Sequence, residues 1–172
     1  MATARKPAAR KTPARARAAL TDATLLLSRD HAEVKKLFKE YKKLAEAEAD
    51  GEERQALAEQ ICAMLTVHAT LEEEIFYPAA REAEVESDLL DEAEVAHASA
   101  KDLIAQIQGM APDDDLYDAK VTVLSEYIDH HVQEEENELF PKARKSDMDL
   151  EGVGARLAAR KDELMRGLKG DA

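Results

Sequence analysis

Hydrophobic residues recur in alternating steps of three and four along most of the chain, the spacing of one face of an α-helix. Four such stripes predict four long helices, at about residues 22–49, 52–81, 88–109 and from residue 113 onward. The first two stripes are Leu27, His31, Val34, Phe38, Tyr41, Ala45 and Leu57, Ile61, Met64 or Leu65, His68, Glu72, Ile75. The last two are Leu90, His97, Ile104, Ile107 and Val121, Leu124, Ile128, His131, Glu135, Leu139.

Short polar connections separate these helices. The residues that favour helix starts and breaks are Thr21, Asp22, Asp50, Gly51, Ser87, Asp88, Gly109 and Pro112. Pro78 and Pro141 predict that the second and fourth helices end or kink near their last turns. Short connections make consecutive helices antiparallel, so the sequence predicts an all-α fold, an up-down-up-down four-helix bundle over residues 22–146. An amphipathic segment within residues 147–172 predicts a C-terminal helix that packs on the bundle or mediates association.

One eleven-residue pattern occurs twice in the same register. The copies are HATLEEEIFYP, beginning at His68, and HVQEEENELFP, beginning at His131. The histidine, the glutamate four residues later, the next glutamate, the aromatic residue and the proline all coincide. One further histidine precedes each copy, His31 in the first case and His97 in the second. The chain therefore consists of two tandem αα-hairpin repeats.

These histidines and glutamates lie where a bundle core would otherwise be apolar. Glu72 and Glu135 each follow a histidine by one helical turn, on the same face. Burying two unpaired carboxylates costs on the order of several kcal/mol each, or forces them to take up protons. Lys35 and Lys101 lie one turn from the lone histidines and are expected to extend outward. Metal cations would neutralise the carboxylates and accept the imidazole nitrogens.

The pattern gives six candidate metal ligands. They are His31, His68, Glu72, His97, His131 and Glu135. Histidine and glutamate without thiolate suit iron, manganese or zinc. Helix bundles with repeated carboxylate and histidine ligands are a di-iron and di-manganese architecture, although that class spaces its ligands as E-x-x-H rather than H-x-x-x-E. The alternative is that the same side chains form only a hydrogen-bonded polar core.

Other polar residues near the pattern point away from the stripe. His130 lies about 100° around the helix from His131 and is expected at the surface or in a supporting position. The same holds for the glutamates Glu73, Glu74, Glu134 and Glu136. Four of the five histidines thus fall on four separate inner faces, which favours a metal site over chance.

Charge is unevenly distributed along the chain. The net charge is −13, yet residues 1–20 hold six basic residues and no acidic one, so the rest carries −19. Residues 1–21 are expected to form a disordered basic tail. A weak contact with nucleic acid or another polyanion and an organelle transit peptide are the alternatives for this tail. The acidic body by itself is a poor nucleic-acid binder.

The apolar runs and the cysteine content limit the cellular compartments that fit this chain. No stretch approaches the roughly 20 apolar residues of a membrane span. The single cysteine, Cys62, lies beside Ile61 and is expected to be a buried, inert thiol. A reducing, cytoplasmic setting fits these features. The oligomeric state stays open.

The lone histidine followed by H-x-x-x-E-E and an aromatic-proline ending, present twice, resembles the hemerythrin-like, or HHE cation-binding, family. The resemblance covers about residues 24–145 and implies a four-helix bundle with two non-haem iron ions. It implies that His31, His68, His97 and His131 are terminal ligands. It also implies that Glu72 and Glu135 bridge the two irons.

The chain departs from the oxygen-carrying hemerythrins, which use five histidines. No histidine lies one turn from His97, although Glu94 is placed to supply a seventh ligand. The last carboxylate there is an aspartate five residues after its histidine, whereas Glu135 follows at four. These differences argue against reversible oxygen carriage of the usual kind and leave room for an exchangeable water, peroxide or nitric oxide.

Two functions share this ligand set. The first is a di-iron protein that binds or senses iron, dioxygen or a related small oxidant. The second is a di-iron enzyme that decomposes hydrogen peroxide, as a catalase does, or reduces nitric oxide. Metal ions and a small diatomic or peroxide ligand are the partners expected in both cases. Tyr41, Tyr77 and Tyr127 are candidate proton donors that the sequence does not rank.

Overall fold

The computed structural model describes residues 22–170. Its α-helices are α1 (Ala23–Glu46), α2 (Gly51–Leu71), α3 (Tyr77–Glu82), α4 (Ser87–Gln108), α5 (Tyr117–Glu134), α6 (Phe140–Lys145) and α7 (Leu150–Gly170). Two π-helical turns, π1 (Glu72–Phe76) and π2 (Glu135–Leu139), join α2 to α3 and α5 to α6. No strand is present between residues 22 and 170. The all-α prediction is therefore confirmed.

The long helices form a closed ring. Helix α1 packs against α2 and α5, and α4 packs against the same two helices. This is the neighbour pattern of a four-helix bundle whose consecutive helices are antiparallel. Helix α7 lies against α1, α2 and π1, and it buries Val153 and Leu157 there. The C-terminal segment thus packs on the bundle. None of the helices described is long and apolar enough to cross a bilayer.

Helix α1 begins with the predicted cap and ends early. The Asp22 carboxylate accepts hydrogen bonds from the backbone N–H groups of Thr24 and Leu25, while Thr21 and the basic tail lie outside the described residues. The helix ends at Glu46 rather than near residue 49, because Glu48 adopts the left-handed conformation with φ of 50°.

The predicted cap of α4 and the predicted start of α5 were wrong. Ser87 is the first residue of α4 and not its cap, since Glu86 holds that position without a side-chain hydrogen bond. Helix α5 begins at Tyr117 rather than near Asp113. The residues between form a turn in which the Asp114 carboxylate accepts a hydrogen bond from the Ala111 backbone N–H. Such local side-chain bonds compete with helix formation.

The chain stays helical beyond both prolines instead of ending there. A proline removes one backbone donor, and its ring clashes with the carbonyl four residues before it. The π turns shift the hydrogen bonding ahead of each proline, so that the N–H of Tyr77 reaches the carbonyl of Glu72 and that of Phe140 reaches Glu135. Each π turn begins at a predicted ligand. Single π turns inside α-helices are frequent at functional sites.

Two apolar clusters occupy the two ends of the bundle. One includes Leu27, Phe76 and Phe140 and extends to α7. The other includes Phe38 and Leu124. The predicted metal ligands lie between these two clusters. They form a polar layer inside an otherwise apolar interior.

The thiol of Cys62 is 1% exposed, and burial raises its pKa to about 11. The thiol rather than the reactive thiolate therefore predominates at neutral pH. We expect no reaction with an aromatic disulfide reagent at pH 7.5 in the folded protein, and one thiol per chain after denaturation. Rapid labelling of the native protein would show that α2 opens readily.

Candidate metal centre

The structure brings all six predicted ligands together in two donor groups. In the first group, His31 and His68 lie with Nε2 atoms 3.1 Å apart. In the second, the Nε2 atoms of His97 and His131 lie 3.0 Å apart. Each group contains one histidine from the α1 or α4 helix and one from the H-x-x-x-E pattern of α2 or α5. Both groups are buried.

The two glutamates connect these groups. Glu72 places Oε1 3.1 Å from His68 Nε2 and Oε2 3.1 Å from His97 Nε2. Glu135 places Oε2 3.1 Å from His31 Nε2 and Oε1 3.5 Å from His131 Nε2. Glu72 therefore belongs to both groups, whereas Glu135 belongs to the first and approaches only His131 of the second. This is the arrangement a bridging carboxylate requires.

A tyrosine that was not among the predicted ligands lies in the second group. The Tyr77 hydroxyl donates to Glu135 Oε1 at 2.7 Å and lies 3.2 Å from Glu72 Oε2. It is also 3.2 Å from His97 Nε2 and 3.5 Å from His131 Nε2. It supplies an additional oxygen beside that pair of histidines. In the second repeat the matching residue is Phe140, whose ring stacks on His31 at 5.7 Å.

The other two candidate tyrosines lie elsewhere. The Tyr41 hydroxyl donates to Asp118 at 2.6 Å, and Tyr127 is half exposed. Tyr77 is 1% exposed, and burial together with the charges of Glu72 and Glu135 raises its pKa well above the usual value. Tyr77 is thus the tyrosine placed to share a proton with the centre.

Carboxylates outside the two groups orient three of the four histidines through Nδ1. Glu136 bonds His31 at 2.8 Å, and Glu73 bonds His97 at 2.9 Å. These two contacts are symmetric between the repeats and place both glutamates in the supporting role expected for them. Such partners leave Nε2 free for a metal and fix the ring orientation.

The third supporting carboxylate was not predicted. Asp30 is 5% exposed and lies 3.3 Å from His68 Nδ1. Lys161 of α7 donates to the same carboxylate at 2.5 Å. Asp30 directly precedes His31 but is not part of the repeated pattern. Its role is therefore visible only once α1, α2 and α7 are packed together.

The remaining candidates form ion pairs outside the centre. Lys35 lies 3.4 Å from Asp129, and Lys101 lies 2.6 Å from Glu73. His130 is exposed and lies 3.2 Å from Glu134. Glu74 bonds Arg160 of α7. Glu94, the suggested seventh ligand, instead accepts a hydrogen bond from Arg81 at 2.9 Å and is exposed.

The environment favours the charged forms of His31, His68 and Glu72. Burial alone would lower the pKa of His31, but the nearby carboxylates of Glu135 and Glu136 outweigh it and raise the pKa to about 9. Burial opposes charge on His68 too, and the charge of Glu72 with the Asp30 hydrogen bond raises its pKa to about 10. Burial would raise the pKa of Glu72, but the nearby histidines hold it well below its usual range.

The donor set fits divalent or trivalent cations. Within residues 22–170, three buried side-chain atoms lack a hydrogen-bond partner: Glu72 Oε1, Glu135 Oε2 and His131 Nδ1. The two carboxylate oxygens lie close to histidine nitrogens without the geometry of a hydrogen bond. A cation between these atoms would satisfy both, because buried polar atoms left unpaired are costly. Four imidazoles and two carboxylates without thiolate match iron, manganese or zinc.

Cation binding must therefore displace protons. Because the pKa values of His31 and His68 lie near 9 and 10, both histidines carry protons at pH 7 that a metal must replace. We expect anaerobic addition of ferrous ion at pH 7 to release protons, detected with an indicator dye in weak buffer. Affinity should rise with pH through this range and level off only above the pKa of His68, about 10, once both histidines have lost these protons. Binding without proton release would contradict this charge state.

Comparisons with known proteins agree with this geometry. The profile of the hemerythrin HHE cation-binding domain matches residues 22–143. The chain is 31% identical over 148 residues to a DNA nickase of Nostoc sp., with 83% of this chain and 40% of that protein covered. The chain thus spans less than half the length of that relative.

A solved structure gives the fold alone. It is a hemerythrin HHE cation-binding domain-containing protein of Mycobacterium kansasii, 24% identical to this chain with a TM-score of 0.68. The match covers 83% of this chain and 86% of that chain. Since the family profile spans the ring of four helices and every residue of the two donor groups, the chain belongs to the hemerythrin HHE cation-binding domain family.

Proposed function

We propose that this protein binds two non-haem iron ions and uses them to bind or sense iron, dioxygen or a related small oxidant. The ligands in this proposal are His31, His68, Glu72, His97, His131 and Glu135. Manganese and zinc are the second choices for the same donors. The observation that carries the proposal is Glu72, which presents one oxygen to each group. Glu135 supports it, since its two oxygens lie 3.1 Å from His31 and 3.5 Å from His131.

The test is metal content per chain after growth with iron. We expect about two irons per chain in the unaltered protein and a strong loss in His68→Ala, because removal of a ligand weakens a site more than the roughly 10–100-fold cost of losing an outer partner. His130→Ala is the matched control, because His130 is exposed and lies beside Glu134, away from the two donor groups. Absence of metal, or a content unchanged in His68→Ala, would overturn the proposal.

The chain's own side chains define what the centre can do. Glu72 and Glu135 would hold the two cations near each other, and the histidines would fix their remaining protein contacts. Two adjacent irons supply redox chemistry toward a small oxidant. Tyr77 can donate a proton from its hydroxyl or hold one on Glu135, at 2.7 Å. The apolar clusters on both sides exclude bulk water from the layer.

The enzymatic alternative is disproportionation of hydrogen peroxide to water and dioxygen. Its supporting observation is the Tyr77 hydroxyl beside both carboxylates, since proton transfer must accompany cleavage of the O–O bond. An oxygen electrode would distinguish the two functions. Sustained dioxygen release by the iron-loaded protein, absent from Glu72→Ala, would establish the enzyme, whereas binding without turnover would support a sensor.

A second candidate is cleavage of a DNA strand, which the Nostoc relative suggests by its name. The six basic residues of the tail would supply the phosphate contacts. The geometry favours the small oxidant, because all six ligands are at most 8% exposed and a phosphodiester cannot reach them. Conversion of supercoiled plasmid to open circles by iron-loaded protein, lost in His68→Ala, would support this candidate. Intact plasmid would remove it.

The cytoplasmic setting belongs to the same proposal. A buried, unpaired Cys62 and ferrous iron both suit a reducing compartment. Fractionation of cells that express the tagged chain would test the location directly.

A further inference from the structure

A groove on the bundle surface runs between α1 and α5. Its volume is about 580 Å³. Apolar side chains from both helices line it, including Phe38 and Val121, and lysines of α1 stand at its edge. The Lys35 and Asp129 side chains approach to 3.4 Å across it, and both are at least half exposed. Exposed pairs of this kind contribute about 0–1 kcal/mol, so this one is no lasting barrier.

A second, smaller cavity lies between α1, α2 and α5. Its volume is about 20 Å³, room for about one water molecule. His31, His68 and His131 form part of its wall, so three of the four candidate histidines face the same space. His131 also carries the buried Nδ1 that lacks a hydrogen-bond partner. We call this space the inner chamber.

The groove and the inner chamber share walls. His31, Val34, Ile128 and Val132 line both of them. The partition is therefore three aliphatic side chains beside a candidate ligand. Val34 belongs to α1, whereas Ile128 and Val132 belong to α5 and are only partly buried. Side-chain rotation at such positions takes place in picoseconds to nanoseconds, so the partition can open without unfolding.

We propose that the α1–α5 groove is the entry path to the metal centre, and that the partition admits only ligands of two or three non-hydrogen atoms. The proposal rests on the proposed function. It narrows the substrate class to molecules such as dioxygen, nitric oxide or hydrogen peroxide and excludes organic hydroperoxides. The apolar partition favours uncharged molecules, because a charged group would lose its hydration there.

The test uses nitric oxide as the probe, mixed anaerobically with ferrous protein and followed by absorbance in a stopped-flow instrument. Ile128→Phe places a larger side chain in the partition and so narrows the passage. Moving neighbouring side chains out of the way in an overpacked interior costs about 1–3 kcal/mol. We expect the association rate constant to fall about tenfold, which corresponds to ~1.4 kcal/mol in the barrier. Ile128→Ala should bind nitric oxide at least as fast as the unaltered protein and should admit a larger isocyanide ligand that the unaltered protein excludes.

Val123→Phe is the control, because residue 123 lies on the same helix, is partly exposed and lines neither cavity. Iron content is measured for every variant before mixing. Equal association rates in Ile128→Phe and Val123→Phe, with both fully loaded, would overturn the entry path. Failure of the unaltered protein to hold iron would instead overturn the proposed function, so the two failures are distinguishable.

Discussion

Glu72→Ala is expected to abolish binding of both cations, because Glu72 is the carboxylate whose two oxygens lie 3.1 Å from histidines of both groups. A cation present at a thousandfold excess over its dissociation constant stabilises a fold by about 4 kcal/mol. For a domain of this size that corresponds to a melting temperature about 8–16 °C higher. We expect this metal-dependent shift in the unaltered protein and none in Glu72→Ala.

The measurement is a pair of thermal melts, with ferrous ion and with a chelator, recorded by circular dichroism. Glu138→Ala is the matched control, since residue 138 is an exposed glutamate in π2. A metal-dependent shift retained in Glu72→Ala would mean that Glu72 is not shared between two cations. A shift absent from the unaltered protein would mean that the polar layer is only a hydrogen-bonded core.

Tyr77→Phe is expected to weaken one cation far more than the other. The substitution removes a single oxygen, which lies beside His97 and bonds Glu135 at 2.7 Å. Outer partners of metal ligands are worth about 10–100-fold in affinity. We therefore expect binding at the His97 and His131 group to lose about that factor, whereas the His31 and His68 group keeps its affinity.

Titration of the apo protein with ferrous ion, followed by calorimetry under argon, resolves the two steps. Tyr127→Phe is the control, because Tyr127 is half exposed. Tyr77→Phe also gives the first repeat the same residue as the second, which has Phe140 at the matching position. Two unchanged binding steps in Tyr77→Phe would show that the tyrosine takes no part in holding the cations.

The helical stripes predicted much of this molecule because burial follows a simple period. The positions of His31, His68, His97 and His131 on four inner faces required only the 3.6-residue repeat and the matching of two copies. The helix starts were less predictable. Ser87 favours capping, yet it is the first residue of α4 rather than its cap, and a turn after Asp113 delays the start of α5 to Tyr117.

Tyr77 was one of three unranked candidate proton donors, and the sequence did not single it out for a geometric reason. It follows Glu72 by five residues, which in an α-helix would place it about 140° away around the axis. The π turn brings the two side chains to the same side, within 3.2 Å. The aromatic-proline ending of both copies was the available signal, since a proline near the end of a long helix demands a local change of hydrogen bonding. Asp30 gave no periodic signal at all.

With one cysteine, this chain cannot form a disulfide within itself. A cation bound by residues distant in sequence would provide a cross-link of another kind. His31 and Glu135 meet at 3.1 Å although about a hundred residues separate them in sequence. A cation held by both would act as a removable cross-link between the first and last helices of the ring. Closing a loop of that length restricts the unfolded chain by about 4–5 kcal/mol in the chain-entropy treatment. A cation-loaded chain would therefore resist proteolysis longer than an unloaded one, and the amount of protein in the cell would rise with the supply of the cation.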